Sequence, residues 1–227
     1  MQANFPAEGS HLARYAARFP AVEINSSFYR PHRPTTWARW ADETPPDFRF
    51  SAKLPKTITH QLRLAGADEA LDAFLSQAHA MGEKLAVLLV QLPPSLAFDA
   101  AVAPPFLARL RASTGVAIAC EPRHPSWFEP EVDALLAELG VARVAADPAC
   151  VPAAAEPGGA REVVYYRLHG SPRVYYSAYS PEYVRALAGR LAREAAAGRE
   201  AWCIFDNTAL GEAWRNGLEL LARLESP

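Results

Sequence analysis

The sequence predicts a parallel β/α barrel of the TIM-like kind. Three observations carry this expectation. Seven short apolar segments each carry, at or next to the C-terminal end, a polar or charged residue that a buried strand would not otherwise carry. Helix-like stretches follow most of them, the alternation of one α/β domain. One segment, LAVLLVQL (85–92), is apolar almost throughout, as a parallel strand covered on both faces should be. A parallel barrel builds its active site from the C-terminal ends of its strands, so seven polar ends predict one polar mouth.

Taken in order, Ser10 is placed to cap a helix over 11–19, with Leu12, Tyr15, Ala16 and Phe19 on one stripe. VEIN (22–25) is the first strand. The loop SSFYRPHRP leads to a short helix, and Trp37 and Trp40, spaced i, i+3, belong to its apolar face. FRFSAK (48–53) is the next strand, followed by the polar loop LPKTITHQLRLAG and a helix near 68–81. After LAVLLVQL come the loop PPSLAFD and a helix near 101–112. VAIACE (116–121) runs into PRHPSWFEP and a helix near 131–139. VARVAAD (141–147) runs into an Ala/Pro/Gly-rich segment over 148–160, expected to be a mobile loop. VVYYRLH (163–169) leads into GSPRVYYSAYS. Ser180 then caps a helix with Pro181 at its first position and Glu182 in its first turn. AWCIFDN (201–207) precedes a last helix near 212–224. No linker or repeat breaks the pattern, so residues 1–227 are expected to form a single domain. Asp99, Asp133 and the Arg-rich stretch 185–193 read as solvated faces.

Bulk properties narrow the class. Net charge is −2, which supplies no global basic field for a nucleic acid but leaves a local basic cleft open. No apolar run approaches the roughly 18–20 residues of a membrane span, and the N-terminus lacks signal-peptide regions. Cys120, Cys150 and Cys203 are widely spaced and form no CxxC pair. Free thiols in a reducing cytoplasm are expected.

Side chains two apart on a strand share a face. Glu23 with Asn25, Ser51 with Lys53, Leu89 with Gln91, and Arg167 with His169 therefore pair by face. If their apolar neighbours meet the helices, the polar set faces the barrel axis.

Glu121-Pro122-Arg123-His124-Pro125-Ser126-Trp127 is the richest cluster. It offers a base or metal ligand (Glu121), an anion clamp (Arg123) and an acid or ligand (His124). Such groups crowded at a strand end are costly unless paired or used. The plainer alternative is a Glu–Arg pair that ties a loop down. His169 is a candidate acid/base or ligand, and Gly170 lets the backbone turn sharply over the mouth. Glu23 and Asn25 suit the opposite wall. Lys53, ahead of Thr59-His60, could hold phosphate, form a Schiff base or neutralise Glu23. One divalent ion held by Glu121, Asp147 and His169 is the metal site the pattern allows. GxGxxG, Walker A, GxSxG and HExxH motifs are absent.

The segments VEINSSFYR, WADETPPDFRFSAKLPKTITHQLRL, EKLAVLLVQLPPS, EPRHPSWF, YYRLHG and FDN, in this order, resemble domain-of-unknown-function family 72, the YecE-like proteins. The resemblance covers nearly the whole chain. It implies a TIM-like barrel, and it implies no activity. It places Glu23, Asn25, Tyr29, Lys53, Thr59, His60, Gln91, Glu121, Arg123, His124, Trp127, Arg167, His169 and Asn207 on the family's motif positions. Two departures stand out. The usual first strand, ending in a Gly-Thr-Ser-Gly-Trp-like turn, is missing, and the usual Asn-Asn-Asp-like triplet reads Asp206-Asn207-Thr208. With seven strand segments where a closed barrel has eight, the expectation is an N-terminal extension encoded upstream of Met1.

Three functions stay open. The first is an enzyme acting on a small anionic, phosphate-bearing substrate by phosphoester hydrolysis. Its catalytic set is Glu121, His169, His124 and Glu23. Its binding set is Lys53, Arg123, Arg167, Asn25, Gln91, Tyr29, His60, Trp127 and Asn207. The second is a sugar or sugar-acid isomerase or lyase. The third is a non-catalytic barrel that binds a ligand or nucleic acid. The cofactor is left unknown apart from the one divalent ion the pattern allows, and oligomeric state is not legible.

Overall fold

The computed structural model describes residues 4–225. The chain divides into two compact units, one through Ile118 and one from Ala119.

In the N-terminal unit, Ser10 caps α1 (His11–Ala16), its hydroxyl accepting the Ala13 N–H at 3.1 Å. The helix stops short of the expected 11–19 because its end tightens, with Arg18 N–H bonding the Tyr15 carbonyl. Tyr15 still stacks on Phe19, with centroids 4.6 Å apart. Strands β1 (Ala21–Ile24), β2 (Arg49–Lys53) and β3 (Leu85–Gln91) pair in parallel in that order. Asn25, expected within the first strand, has helical φ and ψ and begins the short α2 (Ser26–Tyr29). Pro34 opens α3 (Pro34–Asp42), where its missing N–H costs nothing. Trp37 of α3 is fully buried, edge-on to Phe74 of α4 (Asp68–Ala78). α5 (Ala103–Ser113) buries Phe106, Leu107 and Leu110.

The C-terminal unit holds the end of β4 (Ala117–Glu121) and then α6 (Pro130–Glu138). VARVAAD is not one strand. β5 (Val141–Arg143) pairs antiparallel with β7 (Gly158–Gly159), whereas β6 (Ala145–Asp147) pairs in parallel with β8 (Val163–Leu168). At the break, Val144 N–H donates to the Cys120 carbonyl at 2.8 Å. The 148–160 segment is structured, with a 3-10 turn at Pro152–Ala155 as well as β7. The buried Arg143 holds it, donating to Ala153 O at 2.8 Å and to Asp133 Oδ1 at 2.7 Å. The same Asp133 oxygen accepts Gly159 N–H at 2.9 Å, so Asp133, expected on a solvated face and still partly exposed, is also a structural anchor. β8 also pairs in parallel with β9 (Glu200–Phe205). α7 (Pro181–Ala196), capped by Ser180 as expected, and α8 (Glu212–Glu225) pack Val184, Leu187, Leu191 and Leu220 on Val164, Tyr166 and Leu168.

The fold is mixed α/β with parallel ladders in both units. Among the described residues, no helix is long and apolar enough to cross a membrane. All three cysteines are free.

Candidate functional site

The ladders of the C-terminal unit bring distant residues side by side. The β8–β9 register sets Leu168 opposite Phe205, and one step on Asp206 N–H donates to the Leu168 carbonyl at 2.8 Å. Asp206 therefore leaves its strand next to His169. On the other edge β6 sets Asp147 opposite Leu168, and His169 N–H donates to the Asp147 carbonyl at 2.8 Å. Glu121 is the last residue of β4, before Pro122, which cannot donate to a ladder.

These ends build one charged cluster. Arg167 Nη1 donates to Glu121 Oε2 at 2.5 Å, and Arg167 Nη2 donates to Asp206 Oδ2 at 3.2 Å. Arg123 Nε donates to Glu121 Oε1 at 2.9 Å. The His169 ring bridges the two acids, with Nδ1 3.1 Å from Asp206 Oδ2 and Nε2 3.2 Å from Glu121 Oε1. Arg123 Nη2 lies 3.4 Å from His169 Nε2. Glu121 and Arg167 are sealed from solvent, whereas the Arg123 side chain is 30% exposed and forms the open edge.

Electrostatics assigns the proton. Burial alone would raise the Glu121 carboxyl. Arg167, the His169 hydrogen bond and Arg123 outweigh burial and hold it well below the ordinary carboxylate range. Burial alone would lower the His169 imidazole, yet the hydrogen bonds to Asp206 and Glu121 raise it above its ordinary value. A neutral imidazole satisfies only one of two flanking carboxylates with a donor, while the imidazolium satisfies both. Glu121 is thus held as the anion, and the carboxylates on either side favour the protonated form of His169.

The remaining expected residues of this unit serve local structure. His124 Nδ1 accepts Ser126 N–H at 3.3 Å and caps the Pro125–Phe128 turn, in which Trp127 is buried. Asp147 Oδ1 accepts the Tyr179 hydroxyl at 2.8 Å. Asn207 Nδ2 donates to Ser177 O at 2.9 Å and to Asn216 Oδ1 at 3.1 Å. The expected metal ligands Glu121, Asp147 and His169 are engaged in these bonds, and no three His, Cys, Asp or Glu among the described residues are grouped as a ligand set.

In the N-terminal unit, Glu23, Lys53 and Gln91 share one sheet face as their parity predicts. Glu23 pairs with Ser51, two before Lys53, and Lys53 pairs with Leu89, two before Gln91. Lys53 Nζ lies 4.2 Å from the centre of the Phe28 ring. The Gln91 amide donates to Leu92 O at 2.6 Å. His60 Nδ1 lies 2.8 Å from Thr59 Oγ1, and Tyr29 is 70% exposed.

Asp206 is the site residue that the strand-end pattern passed over in favour of Asn207. Its signal was present, since FDN places two polar residues in succession after an apolar strand. Pairing register, not strand parity, decides which of them meets His169.

Residues 3–227 match the family described as "Protein of unknown function DUF72". The chain is 32% identical over 151 residues to UPF0759 protein YecE of Escherichia coli (strain K12), a match covering 63% of this chain and 54% of that protein. It is 33% identical over 129 residues to UPF0759 protein YunF of Bacillus subtilis (strain 168), covering 52% of this chain and 44% of that protein. The matched stretch spans about half the length of these relatives. A DUF72 family protein from Enterococcus faecalis V583 has a TM-score of 0.81 at 23% identity, covering 96% of this chain and 94% of that one. A DUF72 family protein from Thermotoga maritima MSB8 has a TM-score of 0.78 at 27% identity, covering 94% and 88%.

Proposed function

The chain belongs to the DUF72 family, and from that membership and the cluster around His169 we propose that it is an enzyme hydrolysing phosphoesters of small anionic substrates. The observation that carries this reading is the His169 ring held between Asp206 and Glu121, with Arg123 at the open edge. Two carboxylates and two guanidinium groups balance, so protonating His169 makes the cluster net positive. An anion is drawn to that form. Arg123 offers N–H donors to phosphate oxygens, and Arg167, committed to Glu121 and Asp206, fixes the two acids. Water adds to phosphorus and the P–O ester bond breaks. The leaving oxygen takes the proton from His169 Nε2, and a proton of the attacking water restores the imidazolium. Asp206 keeps the ring oriented throughout. The alternation of strands and helices supports a TIM-like barrel as the architecture of this enzyme.

The test is phosphate release from a panel of phosphomonoesters and phosphodiesters, with and without Mg²⁺, Mn²⁺ and Zn²⁺. Wild type should turn over at least one ester, and His169→Asn should lower kcat by about 100-fold or more. If no ester is hydrolysed under any condition and calorimetry detects no phosphate binding, the reading is wrong.

A further inference from the structure

A cavity of about 110 Å³ opens in the C-terminal unit, between α7 and the face of the β6–β8 ladder that α7 covers. Tyr166 and Leu168 line it, whereas Arg167, between them on the strand, belongs to the opposite face and to the His169 cluster. The cavity and the cluster lie back to back across one ladder and share no side chain. Three features define what the cavity can hold. First, opposite charges line it. Asp147 stands at the end of β6 and Arg190 projects from α7, and among the described residues no other charged side chain lines the cavity. A simple anion is opposed by Asp147 and a simple cation by Arg190. Second, both groups have bonding capacity to offer. Asp147 is half-buried, and the Tyr179 hydroxyl takes one of the several acceptor positions of its two oxygens. Arg190 pairs with Glu156 at 3.7 Å, longer than a hydrogen bond, and the Glu156 side chain is 65% exposed, so this partner is readily displaced. The guanidinium is steadied by the rings of Tyr166 and Tyr183, at 6.0 and 5.9 Å. Third, both charges reach one hydroxyl on the cavity wall. Burial pushes the Tyr183 hydroxyl up to about 12, and Asp147 adds to that rise while Arg190 opposes it.

We propose that this cavity binds a small α-amino acid as its zwitterion. A guest that carries both charges satisfies Asp147 and Arg190 together, which neither a simple anion nor a simple cation does. The carboxylate meets the Arg190 guanidinium, whose planar fork suits paired oxygens. The ammonium meets the Asp147 carboxylate. The volume is that of about four waters, room for about five or six heavy atoms, so the side chain is no larger than that of alanine or serine. The site stands apart from the phosphoester chemistry proposed at His169.

The test is calorimetric titration of the whole chain at neutral pH with L-alanine, repeated with propionate and with ethylammonium, each of which keeps one of its two charges. Saturable one-to-one binding of L-alanine is expected, with both analogues about tenfold weaker or worse, the equivalent of one charge-assisted bond. Arg190→Gln should weaken L-alanine binding about tenfold or more on the same ground. Ala155→Leu, which enlarges a half-exposed residue of the lining, should abolish it. The proposal is overturned if L-alanine fails to saturate the wild type, if propionate or ethylammonium binds as tightly as L-alanine, or if Arg190→Gln or Ala155→Leu binds L-alanine unchanged. The comparison among the three ligands uses the wild-type chain, so it stands even if a variant does not fold.

Discussion

His169 Nδ1 lies 3.1 Å from Asp206 Oδ2, although 37 residues separate the two in sequence. The contact follows from one backbone bond, Asp206 N–H to Leu168 O, which continues the β8–β9 ladder past its last paired residues. A ladder fixes position to a fraction of a residue, so an imidazole and a carboxylate at adjacent strand ends meet without a long loop to order. The same ring meets Glu121 on its other side, and the consequences can be measured.

Glu121→Gln should destabilise the protein strongly. Arg167 is fully buried and loses the nearer of its two carboxylates, keeping only Asp206, and breaking a buried ion pair costs about 3–5 kcal/mol. For a chain of this size that is roughly 10 °C in thermal midpoint. Calorimetry checks it, and a loss below about 1 kcal/mol would mean that the pair is far better solvated than its burial implies.

The raised His169 value sets a direction for pH. Its stabilising contribution is fully present below the ordinary imidazole value of 6.5 and is lost as pH rises through the higher value of the folded protein. Glu121 acts in the opposite sense. Its contribution is present above the ordinary 4.5 and is lost as pH falls through its depressed value. Urea midpoints across pH 5 to 9 should decline on the alkaline side for wild type and stay flatter for His169→Asn. A wild-type midpoint that climbs from neutral to alkaline pH, relative to the variant, would contradict the assignment.

The two arginines should separate by phenotype. Arg123 sits at the open edge, so Arg123→Ala should weaken phosphate binding about tenfold or more while shifting stability little. Arg167 braces two carboxylates from a sealed position, so Arg167→Ala should lower the thermal midpoint sharply. Calorimetry with inorganic phosphate, paired with thermal denaturation, reads both. Equal phosphate affinity in wild type and Arg123→Ala would remove Arg123 from the anion contact.

Gly158→Ala should be costly although its backbone is ordinary. A Cβ at this position would stand 2.3 Å from both Arg143 Nη2 and Asp133 Oδ1, inside the ion pair that anchors the 148–160 segment. Overpacking of this kind costs about 1–3 kcal/mol. Proteolysis within 148–160 should accelerate as well. An unchanged cleavage rate would show that the ion pair does not hold the segment.

Much of this molecule is legible from local pattern. Apolar runs closed by polar residues locate the strands to within a residue or two at each end, and the Ser180-Pro181 signal marks the start of α7. EPRHPSW and YYRLHG place Glu121, Arg123, Arg167 and His169 at strand ends, and these four do meet. Such features depend on neighbours one to four positions away, and the chain alone determines them. The tertiary structure decided what depends on partners far along the chain. It chose Asp206 over Asn207 for the cluster, because hydrogen-bond register has no local signature. It split VARVAAD at Val144, because the two halves pair with different strands. It tied Asp133 to Arg143, because that buried guanidinium would otherwise lack an anion. It also set the proton balance at His169, since a histidine's affinity for protons is decided by the charges folded against it and not by its place in the sequence.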